Sequence, residues 1–192
     1  AVLNKMKTYA DRTENYSDVL GETGSFPYIS ERVKKTGTPK ETFSAEYEKI
    51  IANIITHNAY IAYNSGDYNT CEVLVDRNIA SQTALENDYL LKADAMLRLY
   101  NTPDKYNEAL SYVALAKQCN ELPSSASLKQ EALVLLMLGR KTEAVASLEL
   151  CSEYLSKDYE RFSGMEGDWS QTLKYITDET EWVKRMIKQA GE

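Results

Sequence analysis

Apolar positions recur at helical spacing along most of this chain. Between Ser125 and Cys151, Leu128, Ala132 and Leu135 follow one helical period, Gly139 interrupts it, and Ala144, Leu148 and Cys151 resume it. A period near 3.6 that stops at a glycine and restarts predicts two short amphipathic helices joined by a tight turn. The small residues Ala132 and Ala144 fall where two antiparallel helices touch most closely. The pattern recurs upstream, where Gly66-Asp67-Tyr68 closes a helix carrying Ala59 and opens one carrying Cys71 and Val75. Ala93 follows Ala59 by 34 residues, and Ala132 follows Ala93 by 39. The excess fits an extended turn over 101–105, before Tyr106 and Ala109.

Other elements follow from the same patterning. An imperfect stripe of Val2, Met6, Tyr9, Tyr16 and Leu20 predicts an N-terminal helix that Gly21 stops. The stretch 21–37 is irregular, with Phe26-Pro27-Tyr28-Ile29 set among polar residues. It reads as an Ω-like connection whose aromatics plug the first helix, with a partner-binding loop as the alternative. Thr38-Pro39-Lys40-Glu41 predicts a helix start, capped by Thr38 and running to about Asn64. Tyr68 to Ser81 makes the return helix. Thr83 with Glu86 predicts a capping box opening a helix to about Tyr100, and Thr102-Pro103 starts the next, ending near Asn120. A loop is expected over 157–168, around Gly164 and Gly167. Asp168 then caps a last helix, with Gln171 in the capping-box position. That helix carries Trp169, Leu173, Ile176, Trp182, Val183, Met186 and Ile187, and is expected to pack on the preceding hairpin and cover part of Leu133, Leu136 and Met137. No alternating β-branched run predicts a strand.

The recurring hairpin resembles the tetratricopeptide repeat, a helical hairpin of 34 residues. Leu128 takes the Trp place of its consensus, Ala132 the small-residue place and Leu135 the Tyr place. Gly139 takes the turn, followed by Ala144, Leu148 and Cys151. Glu131 stands where the family has Leu, and Ser156 where it has Pro. The resemblance is good over 88–155 and weaker over 50–81. It implies an all-α fold, a right-handed α–α superhelix of stacked helical hairpins with extra N- and C-terminal helices. One helical-repeat domain is expected over 1–192. It would comprise an N-terminal helix and loop (1–38), about three hairpins (39–156), and a loop with a C-terminal capping helix (157–192).

Composition agrees with a globular chain. Its 192 residues suffice for one domain with a sizeable core, and it is 43% hydrophobic and 27% charged. The formal net charge of −7 argues against nucleic-acid or anionic-membrane binding, which need a basic surface. The longest apolar run, 132–138, is too short to span a bilayer. No signal peptide or lipidation motif is visible. The chain begins at Ala1 rather than Met, which tilts the expectation slightly towards an exported, periplasmic or cell-envelope protein over a cytoplasmic one. The oligomeric state is left open.

The cysteines are Cys71, Cys119 and Cys151, an odd number with no CxxC, which speaks against a metal or redox motif. Cys71 and Cys151 sit at small-residue positions and are expected as buried free thiols. Cys119 and Cys151 lie about one repeat apart, and a disulfide between them is the alternative.

Candidate chemistry is sparse. The single histidine, His57, lies inside a predicted helix, which excludes His-based triads and multi-His metal sites. The eight glycines are scattered at turns and form no phosphate cradle. No cofactor is expected, and the chain does not read as an enzyme. The resemblance implies instead a concave groove lined by first helices, binding a protein or peptide. Its groove positions fall on Asn53, Thr56, Tyr60, Tyr63 and Asn64 in the first repeat, on Asn87, Asp94 and Arg98 in the second, and on Lys129 in the third. Thr56 and Tyr60 replace the Lys and Asn with which some family members clamp a C-terminal carboxylate, so that ligand is not expected. The competing reading is a structural subunit whose groove is filled by its own helices.

Overall fold

The structure, a computed structural model, describes residues 40–191 and the side chains of residues 48–190. Among the described residues there are seven α-helices and no strand: α1 Lys40–Asn64, α2 Tyr68–Ala80, α3 Glu86–Leu99, α4 Pro103–Gln118, α5 Ser125–Met137, α6 Lys141–Ser163 and α7 Ser170–Gly191. The protein is all-α over this span, as its periodicity predicts. The helix expected over 2–20, the stretch 21–37 and the cap at Thr38 lie outside the described residues. The chain divides into two compact units. The first, Ala1–Ala84, contains α1 and α2, and the second, Leu85–Glu192, contains α3 to α7.

In the first unit α1 and α2 pack as a hairpin. Gly66 makes the turn at φ +81°, in the left-handed region that glycine enters without a Cβ penalty. Its N–H donates to the Tyr63 carbonyl at 3.0 Å, and the Asp67 N–H donates to that of Ala62 at 2.9 Å. These two bonds satisfy carbonyls that the end of α1 would otherwise leave orphaned. The Asp67 carboxylate then caps α2, accepting from the Thr70 N–H at 3.1 Å.

The hairpin of α5 and α6, in the second unit, repeats this arrangement 73 residues later. Gly139 sits at φ +72°. Its N–H donates to Leu136 at 3.0 Å and that of Arg140 to Leu135 at 2.9 Å. A Cβ at either glycine would meet nothing within 4 Å, so the backbone conformation selects glycine, not lack of space. Burial repeats as well: Ile55, Ala59, Cys71 and Val75 correspond to Leu128, Ala132, Ala144 and Leu148, all buried. Even a cross-helix bond recurs. Asn78 Nδ2 donates to the Ala52 carbonyl at 3.0 Å, and Cys151 Sγ to the Ser125 carbonyl at 3.4 Å. Ala132 and Ala144 lie in one core cluster, where their small size lets α5 and α6 approach.

The hairpin between them in sequence, α3 with α4, turns differently. It uses no glycine; Thr102 caps α4 through the Lys105 N–H at 3.4 Å and Pro103 takes the first turn, as its sequence predicts. The capping box expected at Thr83 does not form. The Thr83 N–H is spent on closing α2, donating to the Asn78 carbonyl at 3.0 Å. The helix therefore starts at Glu86, where the Asp88 carboxylate accepts from the Leu85 N–H at 2.9 Å. Glu86 is released for a tertiary role and accepts from Asn120 Nδ2 at 2.7 Å and from Ser124 Oγ.

A second correction concerns α6, which runs on to Ser163, so that only the later part of the loop expected over 157–168, around Gly164 and Gly167, is non-helical. No proline stands at 156, and Ser156 Oγ simply donates to the Ser152 carbonyl within the helix. Ion pairs Lys157–Glu153 at 2.6 Å and Arg161–Asp158 at 3.0 Å span the added turns. Phe162 then meets the Trp169 ring at 4.9 Å across the short turn around Gly164 and Gly167. Asp168 accepts from the Ser170 N–H at 3.0 Å, two residues on, and α7 begins there.

Two core clusters hold the second unit. Ile176 and Val183 of α7 join Leu128, Leu135, Leu148 and Leu155 in one. Val134 of α5 joins Ala93, Met96, Tyr106, Ala109 and Val113 in the other, which is how α5 packs on α3 and α4. Between the apolar layers, Lys117 Nζ donates to both Glu131 oxygens at 2.8 and 2.9 Å, and Ser147 Oγ donates to Glu131 at 2.8 Å. One half-buried carboxylate thus ties α4, α5 and α6 together.

Candidate binding surface

The groove positions expected from the sequence fall in both units, and each set is described within its own. In the first unit α1 buries Ala52, Ile55, Ala59 and Ala62. Its opposite face exposes Asn53, His57, Tyr60 and Asn64, spaced three or four apart and therefore on one stripe. Tyr60 is 56% exposed and the neighbouring Ile61 46%. Tyr63 turns towards α2, its ring edge-on to Tyr68 at 5.3 Å. Thr56 is used inside the hairpin: its hydroxyl donates to the Ala52 carbonyl and accepts from Asn78 Nδ2, each at 3.0 Å. The repeat resemblance puts Thr56 at a groove position but gives no hint of Asn78 as its partner, 22 residues away.

In the second unit Asn87 and Arg98 are exposed on α3, and Asp94 is half-buried. Lys129 of α5 is engaged by α7. Its Nζ donates to Glu179 at 2.5 Å and lies 4.6 Å from the centroid of the Trp182 ring. Glu179 and Trp182, three apart, share one flank of α7, so a single helix presents an anion and a π-face to one ammonium. Sequence reading assigned Trp182 to the apolar face and missed its partnership with Lys129; the signal was the Glu-x-x-Trp spacing. Leu136 packs against the cluster that contains Ile176 and Val183, while Met137 stays exposed.

The cysteines are all free. Cys71 and Cys151 are buried and Cys119 is exposed, so the Cys119–Cys151 disulfide does not form. Burial pushes the Cys151 thiol up to about 11, with Lys129 partly offsetting and Glu179 adding to the effect. Burial, then Glu86 and Asp88, raise Cys119 too. A raised thiol pKa leaves little thiolate near neutrality. Among the described residues no cluster of three or more His, Cys, Asp or Glu could hold a metal ion, and no helix is long and apolar enough to cross a membrane.

Compared with protein-family models, curated proteins and solved structures, the chain matches none.

Proposed function

We propose that this chain is a tetratricopeptide-like helical-repeat protein and that it binds another protein or peptide, as an adaptor or assembly subunit, rather than catalysing a reaction. In this reading its hairpins are repeats of one right-handed α–α superhelix. The 73-residue recurrence of turn, burial pattern and cross-helix bond supports the repeat assignment. The observation that carries the binding reading is the exposed stripe of α1. Tyr60 offers rigid aromatic area at 56% exposure, on one stripe with the exposed amides of Asn64 and, two turns away, Asn53. An aromatic ring beside donor–acceptor amides suits a peptide backbone with apolar side chains.

The second reading, a structural subunit whose groove is filled by its own helices, is favoured at one place. Lys129 is already satisfied by Glu179 and Trp182, so α7 takes the position that a ligand would occupy on α5.

The test is a photoreactive residue at position 60, compared with one at the comparably exposed Tyr175. Under the binding reading position 60 captures a discrete partner, and Asn64→Ala weakens the capture without lowering the melting temperature. Equal, non-specific capture at both positions would refute it.

A further inference from the structure

Two helix ends of the second unit bring cations together on a chain that is acidic overall. On α7, Lys184, Arg185 and Lys188 fall at i, i+1 and i+4 and are all exposed, so they share one stripe. The helices α6 and α7 pack together across a short turn and are of nearly equal length, 23 and 22 residues, so the start of α6 lies beside the end of α7. Ile187 accordingly packs on the cluster that holds Ala144, one turn into α6. This places Lys141, exposed and the first residue of α6, at the same end. Among the described residues none of these four cations makes an ion pair. Of the nearby acids, Glu143 is held by Arg140 at 2.5 Å, and Glu149 and Glu181 pair with none of the four. Helix electrostatics accounts for Lys188 alone. Cations favour the last turn of a helix, which contains Lys188, and the effect fades beyond that turn. Lys184 and Arg185 stand before it, and Lys141 stands at a helix N-terminus, where positive charge is unfavourable.

We propose that this end of the α6–α7 hairpin docks an acidic peptide segment of a partner protein, at a site separate from the α1 stripe. Charge complementarity sets the sign of the partner: like charges held together repel, and a carboxylate-bearing segment relieves that repulsion. The rest of the surface sets its size. The chain is −7 overall, so apart from Lys141, Lys184, Arg185 and Lys188 it carries −11. A short acidic segment engages the four cations alone, whereas a membrane plane or a long duplex also meets the acidic surroundings and is repelled. Met137, 51% exposed at the end of α5 and four residues before Lys141, supplies an apolar contact at the same end.

Fluorescence anisotropy on the full chain tests this, with a labelled, end-capped dodecapeptide rich in glutamate and carrying two leucines as the probe. The peptide should bind the wild type, more weakly as salt is raised, and its glutamine counterpart should not bind. Arg185→Glu should weaken binding at least about tenfold, whereas Lys174→Glu, about 16 Å earlier on the same exposed face, should change it by no more than about twofold. Both side chains are exposed, so an unchanged melting temperature confirms that each variant folds. Tyr60→Ala should leave the affinity as it is, which keeps the outcome independent of the α1 stripe. Absence of binding, equal weakening by Arg185→Glu and Lys174→Glu, or equal binding of the glutamine peptide would overturn the proposal. So would tighter binding of a single-stranded oligonucleotide, or of vesicles of phosphatidylserine and phosphatidylcholine, than of the acidic peptide.

Discussion

Beside the core contacts of Ile176 and Val183, α7 docks on α5 through the polar contact between Lys129 and Glu179, and a double-mutant cycle measures it. Two unit charges about 4 Å apart attract by about 1 kcal/mol in bulk water and about 4 kcal/mol at an effective dielectric of 20. The two side chains are 30% and 21% exposed, so the pair lies between these limits. Desolvation and the ordering of two flexible side chains subtract from the gain, while the attraction of Lys129 to the Trp182 face is lost in both arms of the cycle and cancels. A coupling of about 1–2 kcal/mol between Lys129→Met and Glu179→Gln is expected in urea melts. Lys129→Met keeps the apolar stem over the indole, so the cycle isolates the charge.

Salt supplies the control. The coupling should survive ~0.5 M salt better than that of the exposed pair Lys157–Glu153, because partly buried pairs are screened less. A coupling within about 0.3 kcal/mol of zero, the scatter of independent sites, would show that the two residues do not meet in solution. Lys129 would then return to the set of groove residues open to a ligand.

Other expectations follow from the same contacts. Val183→Ala should cost about 2–3 kcal/mol, from roughly 0.8 kcal/mol for each buried carbon removed plus a cavity penalty, as read from denaturant midpoints. An unchanged midpoint would mean that α7 does not pack as described. Ala144→Leu should overpack the α5–α6 contact and cost roughly 1–3 kcal/mol in thermal melts. Ser124→Ala removes both the α5 cap and the bond to Glu86, and should cost about 1–2 kcal/mol; a loss below that would mean that the cap is dispensable. Cys151 has a pH signature. Its folded thiol ionises near 11 against an ordinary 9.0, so between these values the unfolded chain gives up a proton that the folded chain keeps. Its contribution is whole below about pH 9 and is lost as pH rises towards 11. The fall in stability over that window should be shallower in Cys151→Ala than in wild type, and identical slopes would refute the assignment.

The sequence made the local geometry legible because local geometry is set by few residues. Glycine at 66 and 139 marks turns that need φ > 0, and small residues at 59, 93, 132 and 144 mark close helix approaches. Proline at 103 and threonine at 102 mark a helix start. Each signal is written within one or two turns of the residue that carries it. Errors arose where two local signals competed for one group. Thr83 could cap α3 or close α2, and the backbone bond to Asn78 won. Similarly, α6 could stop near Ser156 or run on to the glycines, and with no proline at 156 to stop it the helix runs on to Ser163, its added turns spanned by two exposed ion pairs.

What stayed hidden was the long-range pairing of polar groups. Thr56 with Asn78, Glu131 with Lys117 and Ser147, and Lys129 with Glu179 join residues 14 to 50 positions apart. Hydrophobic periodicity says only that such residues lie off the core face, and a polar residue off the core face reads as a surface candidate. Three helices must pack before a half-buried carboxylate such as Glu131 acquires its partners. The same reasoning grades the groove positions. Thr56 and Lys129 spend their polar atoms within the fold, so replacing either should be felt first as lost stability. Tyr60, exposed on its stripe of α1, has no such duty in the core, so under the proposed binding role a loss of capture without loss of stability is expected there first.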